Sequence, residues 1–146
     1  MKKVIPTSAM FLLLVATAAW CRTNQISLQD LKTTAESAKT TDQPKLFIEI
    51  AERQLAAADK LYTAGQPDQA QAAINDVVTY SQKAAKAATD SGKHLKKTEI
   101  AVRKMSQRLK DMKPTVSFED RQPVQNAIDQ LQQVSEQLFN RMFSHH

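Results

Sequence analysis

Apolar side chains recur along most of this 146-residue chain at steps of three and four, the spacing that gives an α-helix one buried face. The longest register runs Ala70, Ile74, Val77, Ser81, Ala84 and Ala88, then on through Ser91, Leu95, Thr98, Val102, Met105, Leu109 and Met112. Gly92 changes the composition there but not the phase, and a glycine inside a helix costs only about 1 kcal/mol relative to alanine. The pattern therefore predicts a long central helix over about 67–112, which at ~1.5 Å per residue would span about 70 Å. A Ser-Gly pair is also a recognised kink site. A bend near Gly92, or two separate helices, satisfies the same register, and the segments then close into a compact four-helix bundle.

A second periodic segment precedes it. Pro44 opens the segment in a first turn, where a missing N–H has no partner to lose. Ile48, Ala51, Leu55, Ala58 and Tyr62 form its stripe, widened by Phe47, Ile50 and Leu61. Gly65 suits a left-handed helix end and Pro67 the next helix start, so the two helices must pack antiparallel. Lys113-Pro114 ends the central register, because the residue before a proline avoids helical geometry. Beyond a connector with Ser117 and Asp120 as alternative caps, Val124, Ile128, Leu131, Ser135, Leu138 and Met142 define a last helix. Ala127, Val134 and Phe139 widen its face, and it should return along Leu95–Met112.

The expected fold class is all-α: antiparallel helical hairpins, or a bundle with coiled-coil-like seams, around the long central helix. The helical domain covers 43–143, with 144–146 frayed. Residues 19–42 are polar and Thr/Ser-rich. A Ser27-x-x-Asp30 cap pattern followed by Leu31, Ala35 and Ala38 predicts a marginal helix within this polar tether.

The stretch AADKLYTAGQPDQAQAAINDV resembles the hairpin of a tetratricopeptide repeat over about residues 54–77. Tyr62, Gly65, Ala70 and Ile74 match that family's aromatic, turn glycine, small residue and large apolar residue in order and spacing, and Ala58 sits where its first helix wants a small side chain. The resemblance implies a helical hairpin and, in the family, a peptide-binding role. No tryptophan or Leu-Gly pair opens this first helix and no further copy follows, whereas such arrays need about three units for a continuous core. Elsewhere the chain resembles an exported bacterial helical protein.

That likeness to exported proteins rests on the first residues. Lys2 and Lys3 followed by the apolar run Val4–Trp20 match a secretory signal, and Ala16-Thr17-Ala18 supplies an A-x-A site for cutting before Ala19. Residues 1–18 are thus expected to be a signal peptide, directing the chain to the periplasm or the extracellular space. Two other outcomes stay open. Cys21 resembles the lipidated cysteine of a bacterial lipoprotein, although Trp20 fills the position before it that should be small. An uncleaved segment could also hold the chain at a membrane, but the run is short of the roughly 20 apolar residues a span needs.

Candidate chemistry is sparse. One cysteine excludes an internal disulfide, a cysteine-cluster metal site and a c-type haem motif. No nucleophile motif, phosphate loop or paired-carboxylate signature is present, so no catalytic residue, cofactor or metal site is assigned. His94 lies beside lysines, and His145 with His146 is at most a weak metal pair. Met105 and Met112 belong to the seam.

Charge changes the picture more. The formal net charge is +5, or +3 once Lys2 and Lys3 are removed. Between residues 83 and 113 lie ten basic side chains: Lys83, Lys86, Lys93, Lys96, Lys97, Arg103, Lys104, Arg108, Lys110 and Lys113. Only Asp90, Glu99 and Asp111 oppose them, a local excess of +7. Such a stripe is an electrostatic footprint for an anionic partner. Export removes the chain from nucleic acid, so an envelope component or an acidic protein is expected, with self-association through helical faces as a further option. The resulting expectation is a non-catalytic exported helical protein, an interaction or envelope-associated scaffold. The alternatives are a lipoprotein anchored at Cys21 and a weakly metal-binding bundle.

Overall fold

The computed structural model describes residues 26–144. It contains α1 (Leu28–Ser37), α2 (Gln43–Thr63), α3 (Pro67–Ser91), α4 (Leu95–Met112), a short 3-10 turn (Lys113–Thr115) and α5 (Arg121–Phe143). No strand occurs among the described residues, and the fold is an all-α bundle. The signal-peptide stretch, Trp20, Cys21, His145 and His146 lie outside the described residues.

Local chemistry sets the helix ends. Ser27 Oγ accepts the Asp30 N–H at 3.1 Å and opens α1. At the end of α2, Gly65 takes φ 72°, its N–H reaches Tyr62 O, and the Gln66 N–H reaches Leu61 O at 2.9 Å. This pair of bonds satisfies carbonyls that the helix would otherwise leave open. Pro67 then starts α3, giving the antiparallel α2–α3 hairpin. α4 ends at Met112, where the Lys113-Pro114 stop was expected, but Lys113 keeps helical angles (φ −50°, ψ −43°) and the chain tightens into the 3-10 turn before turning extended at Val116.

The continuous helix expected over 67–112 is not formed. Gly92 closes α3 in the left-handed conformation at φ 65°, and His94 takes the same conformation at φ 64° before α4 begins. The energetics favour the break. A left-handed non-glycine residue costs roughly 1–2 kcal/mol, and burying one Val, Leu or Met side chain returns about 1.5–3 kcal/mol. Reversing the chain buries Val102, Met105 and Leu109 to 2% exposure or less. A straight helix would leave the wide faces of α2 and α5 with a single partner each.

The result is two helical hairpins laid side by side. α2 packs along α3 and α4 along α5, while α3 meets α5 and α2 meets α4. The first turns of α2 and α4 border one hollow through Pro44, Ile48, His94 and Thr98. The first halves of α3 and α5 border another through Gln71, Val78, Pro123 and Ala127. The hairpins therefore point the same way. Ile50, Leu55, Ile74, Val77, Leu109, Ile128, Leu131 and Leu138 fill the centre at 1% exposure or less. Two hydroxyls, Ser81 and Ser106, are buried there without a partner.

The polar stretch before α2 contributes a docked helix. Leu31 and Ala35 of α1 are buried against α2, and side chains fasten its flanks. Lys32 Nζ meets Asp76 Oδ2 at 2.8 Å, Lys83 pairs with Glu36, and Arg53 Nη1 donates to Ile26 O at 2.7 Å. Gln54 Nε2 donates to the same Asp76 oxygen at 2.5 Å, tying α1, α2 and α3 at one point.

Candidate functional site: the basic face of α4

Helical geometry distributes the basic residues of α4 in two rows. Lys97, Lys104 and Arg108 share one side of the exposed arc, and Lys96, Arg103 and Lys110 share the other, with Ile100, Gln107 and Asp111 between them. The opposite face carries Val102, Met105, Leu109 and Met112 into the core, as the register predicts.

The ten basic residues divide by their partners. Lys83 is half-buried and drawn toward α1, where it pairs with Glu36 and lies 5.3 Å from the Tyr80 ring centroid and 5.6 Å from that of Phe47. Lys86 pairs with Asp90 at 2.5 Å along α3. Arg103 Nε meets Glu99 Oε1 at 3.2 Å, and Ser135 Oγ of α5 donates to the same oxygen at 2.9 Å. These two contacts hold Glu99 in place although the residue is only 7% exposed. Lys113 Nζ donates to Gln125 Oε1 at 2.7 Å. The remaining six, Lys93, Lys96, Lys97, Lys104, Arg108 and Lys110, are exposed and have no carboxylate within 4 Å among the described residues. The four with contacts serve the bundle. The six without them form a field on one side of it.

Lys32 of α1 is held in its charged form. Its hydrogen bond to Asp76 raises the ammonium above the ordinary lysine value, against an opposing effect of burial. On Tyr62, burial raises the phenol, and the negative charge of Asp120 adds to it.

His94 is exposed at the start of α4 and lies on the hollow with Pro44, Lys45, Ile48, Glu49, Glu52, Lys97 and Thr98. Among the described residues, no three His, Cys, Asp or Glu side chains gather to hold a metal ion. No described helix is long and apolar enough to cross a membrane.

Sequence reasoning missed one feature beside the basic rows. Phe139, expected to widen the buried face of α5, is 52% exposed and packs at a tilt of 47° against Phe143, itself 60% exposed, with ring centroids 4.7 Å apart. Phe139 borders a shallow hollow with Glu99, Arg103, Ser135, Glu136 and Asn140, which places it beside Arg103 and toward the Lys96 end of that row. The signal was the i, i+4 repeat of phenylalanine in the last turns, on the shoulder of the stripe and not at its centre.

Comparison with protein-family models, with curated proteins and with solved structures finds no match for this chain.

Proposed function

We propose that this is an exported, non-catalytic helical protein that engages an anionic component of the cell envelope through the exposed face of α4. The observation that carries the reading is the set of six exposed cations without carboxylate partners on α4 and the turn before it. A bundle gains nothing from holding like charges together on one face. Each would be less repelled with an anion opposite, and such a face raises the local concentration of polyanions. The basic, apolar and small-residue order of residues 1–18 supports placing that partner outside the cytoplasm.

Charge reversal tests the reading. The triple variant Lys97→Glu, Lys104→Glu and Arg108→Glu, all at exposed positions, should fold normally and lose at least tenfold in retention on an immobilised polyanion such as dextran sulfate. That scale follows from about 1 kcal/mol per cation at an anionic surface. Wild-type binding should fall steeply with salt, because exposed charges are screened beyond about 8 Å at physiological ionic strength. Retention that ignores both salt and the triple variant would sink the reading. Intact-mass measurement of the protein from fractionated cells tests the export half. A mass beginning at Ala19 or an acylated Cys21 supports it, and an intact leader in the cytoplasmic fraction overturns it.

A further inference from the structure

We propose that the anionic component is a lipid bilayer, and that Phe139 and Phe143 enter its interface while the neighbouring cations of α4 meet the headgroups. The inference rests on the anionic-partner reading above and names its target.

Large exposed apolar side chains are scarce here. Four of the described residues qualify: Ile26, Phe118, Phe139 and Phe143. Phe118 sits alone in the α4–α5 connector with the Arg121 guanidinium 6.0 Å from its ring centroid, and Ile26 sits at the first described residue. Only Phe139 and Phe143 touch each other. Their contact still leaves more than half of each residue in water, which costs free energy in proportion to the apolar area left wet. The bundle has no use for this arrangement, because Val134 and Leu138 already complete that part of the core at 5% and 1% exposure.

The surroundings choose the occupant. α4 and α5 run antiparallel, so the end of α5 that carries the rings lies beside the start of α4, where Lys96 projects on the same side as Arg103, Lys93 precedes it and Lys97 faces the other way. Arg103 borders the same hollow as Phe139, and its partner Glu99 is buried. The aromatic pair thus has Arg103 and the start of α4, with Lys93 and Lys96, on one side, and a single exposed carboxylate, Glu136, on the same hollow. A second copy of this chain would bring the same cations against themselves. An acidic protein would satisfy the cations, but the rings would then need an apolar pocket ringed by carboxylates. An anionic bilayer supplies both surfaces at once: headgroup charge at the level of the cations and, a few ångströms deeper, the acyl boundary where aromatic rings partition. Aromatic side chains are enriched at that depth for this reason. Binding of this kind is peripheral and needs no spanning helix.

The test uses the protein as purified from cells, floated with phosphatidylcholine vesicles that contain or lack phosphatidylglycerol, alongside retention on dextran sulfate. The double variant Phe139→Ser with Phe143→Ser should keep the wild-type circular dichroism and melting point, since both rings are exposed. It should lose about tenfold or more in binding to phosphatidylglycerol vesicles, scaled from the apolar area of two rings, with retention on dextran sulfate unchanged. Lys96→Glu with Lys97→Glu should weaken both. Five outcomes overturn the proposal. Vesicle binding that ignores the phenylalanines assigns it to charge or to the leader. Equal binding to vesicles without phosphatidylglycerol removes the headgroup role. Retention on dextran sulfate without vesicle binding rejects the bilayer but leaves the anionic-partner reading standing, whereas loss of both rejects the two together. A dimer in sedimentation that the phenylalanine variant disperses, with no vesicle binding, makes a second copy the occupant.

Discussion

The two hairpins differ both in how their cores are filled and in what their exteriors carry. The α2–α3 hairpin is seamed with small residues, including Ala51, Ala58, Ala73, Ala84 and Ala88, all buried. It carries α1 as a cover, and three of its five cations are answered, Lys83 by Glu36, Arg53 by Glu49 and Lys86 by Asp90, while Lys32 of α1 meets Asp76 and Lys45 and Lys60 have no carboxylate within 4 Å among the described residues. The α4–α5 hairpin is filled by larger side chains, with Met105, Leu109, Ile128, Leu131 and Leu138 at 2% exposure or less. Nothing among the described residues covers its outer face, and its cations are mostly unanswered. Both hairpins contribute basic residues to the stretch between 83 and 113. What separates them is which ammonium and guanidinium groups have a carboxylate in reach. Count of charge along the chain pointed to the whole stretch, and pairing in three dimensions narrows it to α4 and the turn before it.

The comparison breaks most readily in the core. Leu131→Ala removes a fully buried side chain shared by the α4–α5 seam, and should lower the unfolding free energy by about 3 kcal/mol. Leu31→Ala touches one of only two buried side chains of α1. It should instead detach the cover first, with a smaller loss in urea unfolding and early proteolytic cutting between residues 28 and 42. If both variants cost the same in one cooperative transition, α1 is an integral part of the bundle and the description of it as a cover is wrong.

How much of this was legible in advance depends on what each signal measures. The buried faces of all four long helices were legible, because a 3.6-residue period reports burial directly: Ile74, Val77, Val102, Met105, Leu109, Ile128 and Leu131 are all buried. The stop at Gly65 was legible because a left-handed helix end favours glycine, and the end of α4 was legible in place though not in form, since Lys113 stays helical ahead of Pro114. The reversal at Gly92 was not. A seven-residue spacing carries the same phase across a straight helix and across a turn whose length happens to preserve it, so the register says nothing about direction. The docking of α1 was obscured because its anchors are two small or medium side chains supported by long-range ion pairs, and Lys32 to Asp76 spans 44 positions. For the same reason the answers to Lys83, from Glu36 of α1, and to Lys113, from Gln125 of α5, were hidden, whereas Glu99 to Arg103 is an i, i+4 pair that spacing within α4 already allows. The partner-free cations became visible only once α1 and α5 were in place.

The turn offers the second prediction, and its sign discriminates. In the bundle, Gly92 sits at φ 65° with open space where a Cβ would be, so Gly92→Ala is disfavoured by conformation and not by a clash. It should cost about 1 kcal/mol. His94→Gly should do the reverse, relieving a left-handed non-glycine residue and raising the melting point. In a continuous helix the first sign inverts, since alanine is the better helix former by about 1 kcal/mol. A stabilising Gly92→Ala, together with a maximum dimension near 70 Å in small-angle scattering, would return the two hairpins to opposite ends of one rod and dissolve the side-by-side comparison.

The smallest expected effect concerns the cover alone. Lys32 holds its proton more tightly in the folded chain than in the unfolded one, because the charged form donates to Asp76. A raised folded value means that the contribution to stability is complete below the ordinary lysine value of 10.5 and is lost as pH climbs through the higher folded one. Alkaline solution should therefore loosen α1 while leaving the hairpins paired. The pair is partly exposed, so the effect is well under 1 kcal/mol. Methyl resonances of Leu31 and Ala35 should shift above pH 10.5, and a Lys32→Gln variant should show no such step in that window. Tyr62 titrates in the same range, since burial raises its phenol as well, but it lies at the far end of α2 and reports through its own ultraviolet absorbance. A methyl shift that follows the tyrosine signal and survives in Lys32→Gln would mean that the tip of the α2–α3 hairpin, and not its cover, gives way first.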